Sequence, residues 1–268
     1  MRFFSILILF FLVWGNVAPA SDLRALETAD KNKGWEAVGR LNIGDRSMCT
    51  GALIAPDLVL TAAHCLFDRE SGVAIDPTTI QFLAGWRNGR ASAYRSVKTA
   101  AVHSDYQMFH PSGAARVRND VALLKLDQPI RNSSIRPFEV KTDLQKGDQV
   151  GVVSYAQNRA EHASLQEVCH VLGQQAGAVV LSCNVDFGSS GAPVFVVDNG
   201  VAKVATVVSA KADMGAQKVA LATELFGSVP DLMADIADQT RFGGARPKVR
   251  RLSLSEDRHR SGARFLRP

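Results

Sequence analysis

The sequence predicts an all-β body of antiparallel strands, on two observations. Short apolar runs recur at 51–55, 58–61, 80–86, 94–102, 121–126, 149–155, 178–183, 193–197 and 201–208. Turn residues divide them, and no helical segment of about 10 to 15 residues recurs between them to supply the crossovers of a parallel sheet. Many short strands joined in this way close into barrels or pack as sandwiches.

The elements follow in chain order. Residues 1–20 read as an export signal: Met1-Arg2 is a short basic start, 3–14 is almost wholly apolar, and Ala18-Pro19-Ala20 has the small-x-small form of a cleavage site. The apolar run falls short of the roughly 20 residues that span a bilayer. An uncleaved membrane anchor is the competing reading. Residues 21–37 are polar, with Leu23, Leu26 and Ala29 as a weak helical stripe, and read as a propeptide, a leader or an arm packed on the body. The main domain is expected over 38–240. Within it, 51–61 reads as a strand, a turn at Pro56-Asp57 and a second strand. A division near 130–140 would separate two halves. Ser228, with Asp231 three residues on and Leu232, Met233, Ile236 and Ala237 on one face, predicts a closing C-terminal helix.

The tail, 241–268, has eight arginines and one lysine against Glu256 and Asp257, too few large apolar groups for a core, and is expected to be disordered. The formal charge of +5 therefore belongs to the tail, since 21–240 holds 21 basic and 24 acidic residues. Such a tail suits a polyanion or an anionic surface through charge alone, or is a solvated extension. Phe242 and Phe265 are too sparse for a base-stacking platform, which argues against specific nucleic-acid recognition.

Four cysteines suit an oxidising compartment. Pairing Cys49 with Cys65 and Cys169 with Cys183 is the simplest of the three connectivities. Zinc is the competing reading, but no CxxC pair is present.

Three segments carry chemistry: Thr61-Ala62-Ala63-His64-Cys65, Asn119-Asp120-Val121-Ala122-Leu123-Leu124 and Gly188-Ser189-Ser190-Gly191-Ala192-Pro193. A serine hydroxyl is a weak nucleophile near neutral pH and needs a base within reach and a group to orient that base. His64 can be the base, Asp120 the orienter and Ser190 the nucleophile. Gly188, Gly191 and the small Ala192 permit a tight path that aims the N–H groups of Gly188 and Ser190 at one point, as an oxyanion hole requires. Singly, each has a plainer reading: a packed histidine, an Asn-Asp turn, a Gly-Ser surface turn. The order His, Asp, Ser also argues against an α/β-hydrolase, which places its nucleophile first in Gly-x-Ser-x-Gly.

Over 38–240 these motifs resemble the chymotrypsin/trypsin-like serine peptidases, especially the bacterial branch that includes the glutamyl endopeptidases. The resemblance implies two perpendicular six-stranded β-barrels, a disulfide between Cys49 and Cys65, and peptide-bond hydrolysis by His64, Asp120 and Ser190 without a cofactor. Calcium serves some relatives as a structural ion, but no clustered acidic loop commits this chain to it. The substrate pocket by this resemblance involves Asn184, Val185, Val208, Ser209 and Lys211. Asn184 has no charge to pair with a substrate arginine or lysine. Val185 and Val208 stand where glutamyl endopeptidases have threonine and histidine. Lys211 could favour an acidic group, but the resemblance points to a small, polar or apolar side chain. Ser189 replaces the aspartate that receives the new N-terminal amine in animal trypsins, so another interaction must order the oxyanion loop. The expectation is a secreted or periplasmic bacterial serine endopeptidase, monomeric and acting on proteins or peptides. A noncatalytic peptide-binding scaffold is the alternative, disfavoured because all three reactive side chains are present.

Overall fold

The computed structural model describes residues 22–44, 47–110, 113–215 and 217–241; the export segment 1–20 and tail residues 242–268 lie outside them. The strands are Arg24–Ala25 (β1), Val38–Ile43 (β2), Ser47–Ala55 (β3), Leu58–Thr61 (β4), Ile80–Ala84 (β5), Ala93–Val102 (β6), Ala122–Leu126 (β7), Gln149–Ala156 (β8), Arg159–Gln175 (β9), Ala178–Leu181 (β10), Pro193–Asp198 (β11), Val201–Met214 (β12) and Gln217–Glu224 (β13). Helices are Ala29–Asn32 (α1), Gly113–Arg118 (α2) and Ser228–Arg241 (α3).

Six strands close a first barrel in the order β2-β3-β4-β7-β6-β5. Strand β4 lies between β3 and β7, with Val59 opposite Leu124 and Leu60 opposite Leu123, all buried. A one-residue slip would exchange the two faces of every strand it touched, so this apolar filling fixes the register. In the second half β8 pairs with both β9 and β11, so β8-β9-β10-β13-β12-β11 returns on itself, and β1 adds to β9 alone. Two hairpins there have two-residue loops with both φ positive, Ala176-Gly177 (52° and 81°) and Asn199-Gly200 (50° and 78°). That geometry is the type I′ turn, whose twist matches that of the strands it joins.

The chain crosses between the halves over 127–148, spanning the division expected near 130–140. There Phe138 packs edge-on against Phe195 at 4.7 Å, and Trp35 meets Phe195 at 5.0 Å, joining the crossing and the N-terminal segment to the second sheet.

Three expectations change in detail. Leu23, Leu26 and Ala29 do not share a helix: Arg24 and Ala25 pair with Leu165 and Ser164, Leu26 is buried, and helix α1 begins only after Thr28 caps it. Residues 22–37 are an arm packed on the body. Helix α3 buries Val229, Leu232 and Ile236, whereas Met233 and Ala237 face solvent, because the packed stripe is centred one position earlier than read. Strand β12 extends past 208 to Met214, bringing Lys211 into the sheet.

Candidate active site

His64 lies in a single 3-10 turn immediately after β4, and Asp120 lies two residues before β7, the strand paired with β4. The pairing brings residues 56 positions apart into contact. His64 Nδ1 and Asp120 Oδ2 are 2.6 Å apart, and the His64 backbone N–H donates to Asp120 Oδ1 at 2.8 Å. Ser209 Oγ on β12 also donates to Asp120 Oδ2. The carboxylate is buried, and these donors compensate the desolvation that would otherwise make it costly. An ionised carboxylate only accepts, so Nδ1 carries the ring proton and Nε2 of the neutral ring is left as a base. The disulfide between Cys49 and Cys65 fastens this turn to β3. Cys49, Cys65 and His64 are close enough together to suggest metal ligands, but both sulfurs are held in that disulfide.

Ser190 sits on the loop between β10 and β11, upstream anchored by the disulfide of Cys169 with Cys183. The loop is tied to the first barrel through Thr50. Its N–H donates to Ser190 O at 2.8 Å, and its hydroxyl donates to Gly188 O at 2.9 Å while accepting from Tyr155 N at 3.1 Å. Gly191, at φ 74°, is indispensable to this approach: a Cβ there would stand 2.1 Å from Thr61 Oγ1 and 2.5 Å from Thr50 O.

Backbone donors along the loop divide into two groups. Those of Phe187, Ser189, Gly191 and Ala192 are all bonded, to Asp186 Oδ1, Asp186 O, Val208 O and Ser189 O at 2.7–2.9 Å. Those of Gly188 and Ser190 have no acceptor among the described residues. Gly188 takes φ 95°, the left-handed region that turns its neighbouring peptides. Two free N–H groups flank Ser189, among the bonded N–H groups of Phe187, Ser189, Gly191 and Ala192.

His64, Asp120 and Ser190 line one cleft of about 300 Å³, together with Val185, Val208, Ser209 and Lys211. Asn184 does not: it is exposed and lines a neighbouring cavity, its N–H donating to Gln166 Oε1 at 2.7 Å. Lys211 reaches across to Asp186, Nζ to Oδ1 2.9 Å, and holds that carboxyl below its usual range, chiefly through this hydrogen bond.

The family model described as Trypsin matches residues 27–229. The chain belongs to the trypsin family. It is 27% identical over 150 residues to a glutamyl endopeptidase of Bacillus licheniformis, covering 55% of this chain and 45% of that protein. It is 26% identical over 184 residues to serine protease SP24D of Anopheles gambiae, covering 62% of this chain and 64% of that one. The chain thus spans less than two thirds of the length of these curated relatives. A solved Glu endopeptidase in complex with MPD superposes with a TM-score of 0.66 at 16% identity, over 83% of this chain and 99% of that chain, which shows a shared chymotrypsin-like fold.

Within this trypsin-family site, sequence reasoning missed three residues. Thr50 joins the halves, Asp186 pairs with Lys211, and half-buried Arg159 stands behind the Ser190 loop. Arg159 donates to Ser154 O at 2.7 Å, Ser154 Oγ at 3.0 Å and Ser189 Oγ at 3.4 Å. Burial lowers its pKa, and the Asp186 charge opposes that shift. The fully buried Ser189 hydroxyl in turn donates to Tyr155 O at 3.3 Å. No local motif announces these residues, because each acts through a partner 25 to 138 positions away.

Proposed function

We propose that this chain is an exported serine endopeptidase that hydrolyses peptide bonds through an acyl-enzyme on Ser190. Ser190 Oγ attacks the substrate carbonyl carbon while His64 Nε2 takes its proton, and Asp120 stabilises the resulting imidazolium. The N–H groups of Gly188 and Ser190 donate to the oxyanion; removal of one such donor typically costs about 10²–10³ in kcat. His64 then returns the proton to the departing amine, and water releases the acyl group by the same route. Membership of the trypsin family and the likeness to a glutamyl endopeptidase favour protein or peptide substrates. The observation that carries the reading is the buried Asp120–His64 pair opening on the same cleft as Ser190, beside two unoccupied backbone donors. Export to the periplasm or beyond is supported by residues 1–20 and by two disulfides, which persist in oxidising compartments.

Fluorophosphonate labelling of the folded, disulfide-bonded protein, with the adduct located by peptide mass mapping, tests the mechanism. Ser190 is expected to carry the adduct, Ser190→Ala to abolish it and His64→Ala to reduce it strongly. An unlabelled Ser190 in folded protein counts against catalysis.

A further inference from the structure

The cleft that holds Ser190 and the neighbouring cavity of about 390 Å³ have three lining residues in common: Val185, Asp186 and Lys211. Residues that line two cavities form the partition between them. Asp186 belongs to the segment leading into the nucleophile loop and Lys211 to β12, so the 2.9 Å ion pair joins two separate chain segments. The Lys211 ammonium also lies 4.1 Å from the centre of the Phe187 ring, a cation–π contact that holds it on the cleft wall. Behind the partition the wall is polar: Asn184 is exposed there, and Asp213 stands opposite Lys218 in the strand register.

We infer that the Lys211–Asp186 pair is a latch that limits the side chain accepted beside Ser190, closing the cleft off from the Asn184 cavity and selecting substrates with small, uncharged residues at the cleavage site. The inference rests on the peptidase reading above and deepens it. A substrate acid entering the cleft must compete with Asp186 for Lys211, and a substrate base must compete with Lys211 for Asp186. The side chains of both are about half exposed, at 50% and 47%, and exposed pairs add little to stability. The latch therefore selects by occupying space and neutralising charge, and a truncation opens it without demanding much of the fold.

Cleavage of a peptide library varied at the residue preceding the scissile bond tests the latch, on the full chain after fluorophosphonate labelling has been measured. The natural sequence is expected to favour Ala, Ser, Thr or Val. Lys211→Ala should raise the kcat/KM ratio for Gln or Phe over Ala by about tenfold, within the range available to pocket contacts. Asp186→Asn keeps an oxygen for the Phe187 N–H and is expected to shift the profile toward acidic residues, because Lys211 is then uncompensated. Ser190 labelling with a library profile unchanged in both variants overturns the latch alone. An equal rate for large and small residues in the natural sequence overturns it too. Failure of Ser190 to label in folded protein overturns the peptidase reading, and the latch with it.

Discussion

His64 and Asp120 come from the closed first barrel, where adjacent paired strands, a disulfide and three donors to one buried carboxylate hold them. Ser190 comes from a loop of the second half, held by bonds to Thr50, Val208 and Tyr155 that skip the N–H groups of Gly188 and Ser190. The first half saturates the Asp120 carboxylate, because an uncompensated carboxylate in that position would be ruinous. The second leaves the Gly188 and Ser190 N–H groups open, where the proposed mechanism puts the substrate oxyanion. Order in the loop therefore comes from its carbonyls, its side chains and its other N–H groups, and from a glycine small enough to let the two halves touch.

The largest expected effect probes the saturated carboxylate of the first half. Asp120→Asn keeps the shape but lets an amide N–H face His64 Nδ1, favouring the wrong tautomer. Hydrolysis of a library peptide is expected to fall by roughly 10⁴-fold with the thermal midpoint little changed. A loss under tenfold would show that the pair does not set the state of His64.

A second test breaks the contact between the halves. Gly191→Ala forces a Cβ against Thr61 Oγ1 and Thr50 O and adds strain at positive φ, whereas Gly200→Ala, at φ 78° with nothing within 4 Å, adds only the strain. We expect about 3 kcal/mol of destabilisation for the first and about 1 kcal/mol for the second. For a domain of this size that separates their melting temperatures by roughly 4–8 °C. Equal melting temperatures would remove the close approach from the account.

The same contrast explains what the sequence disclosed. The first half was legible as strands, because His64 and Asp120 sit beside the apolar runs 58–61 and 121–126; that these two strands pair, and so join the side chains, emerges only in the fold. Asn199-Gly200, between the runs 193–197 and 201–208, closes its hairpin through its own backbone chemistry. Strand β9 was not legible, because its 17 residues carry Glu161, His162, Gln166, Glu167 and His170 and pair with three strands in turn, leaving no clean alternation. Its first residue, Arg159, was invisible for a related reason. A lone arginine after Asn158 reads as an exposed hairpin charge, and only the folded chain turns it inward beneath Ser189.

Arg159 gives the smallest expected effect and the sharpest view of the open half. In animal trypsins an N-terminal amine paired with an aspartate orders this loop; here Ser189 replaces the aspartate, and the guanidinium is the cation nearest to it among its hydrogen-bond partners. Arg159 anchors on Ser154 O and Ser154 Oγ, and its third contact, at 3.4 Å, is long and correspondingly weak. It acts by positioning: it touches Ser189, not the reacting atoms. Arg159→Ala should therefore lower kcat by about tenfold, equivalent to about 1.4 kcal/mol of transition-state stabilisation, and leave KM nearly unchanged. Added guanidinium ion should restore part of the rate in Arg159→Ala and none in Ser190→Ala. A purely structural role would instead lower the melting temperature without a selective loss of kcat, and without rescue. A rise in KM at constant kcat would move Arg159 from ordering the oxyanion loop to binding substrate, and the ordering of the open half would then fall to Thr50.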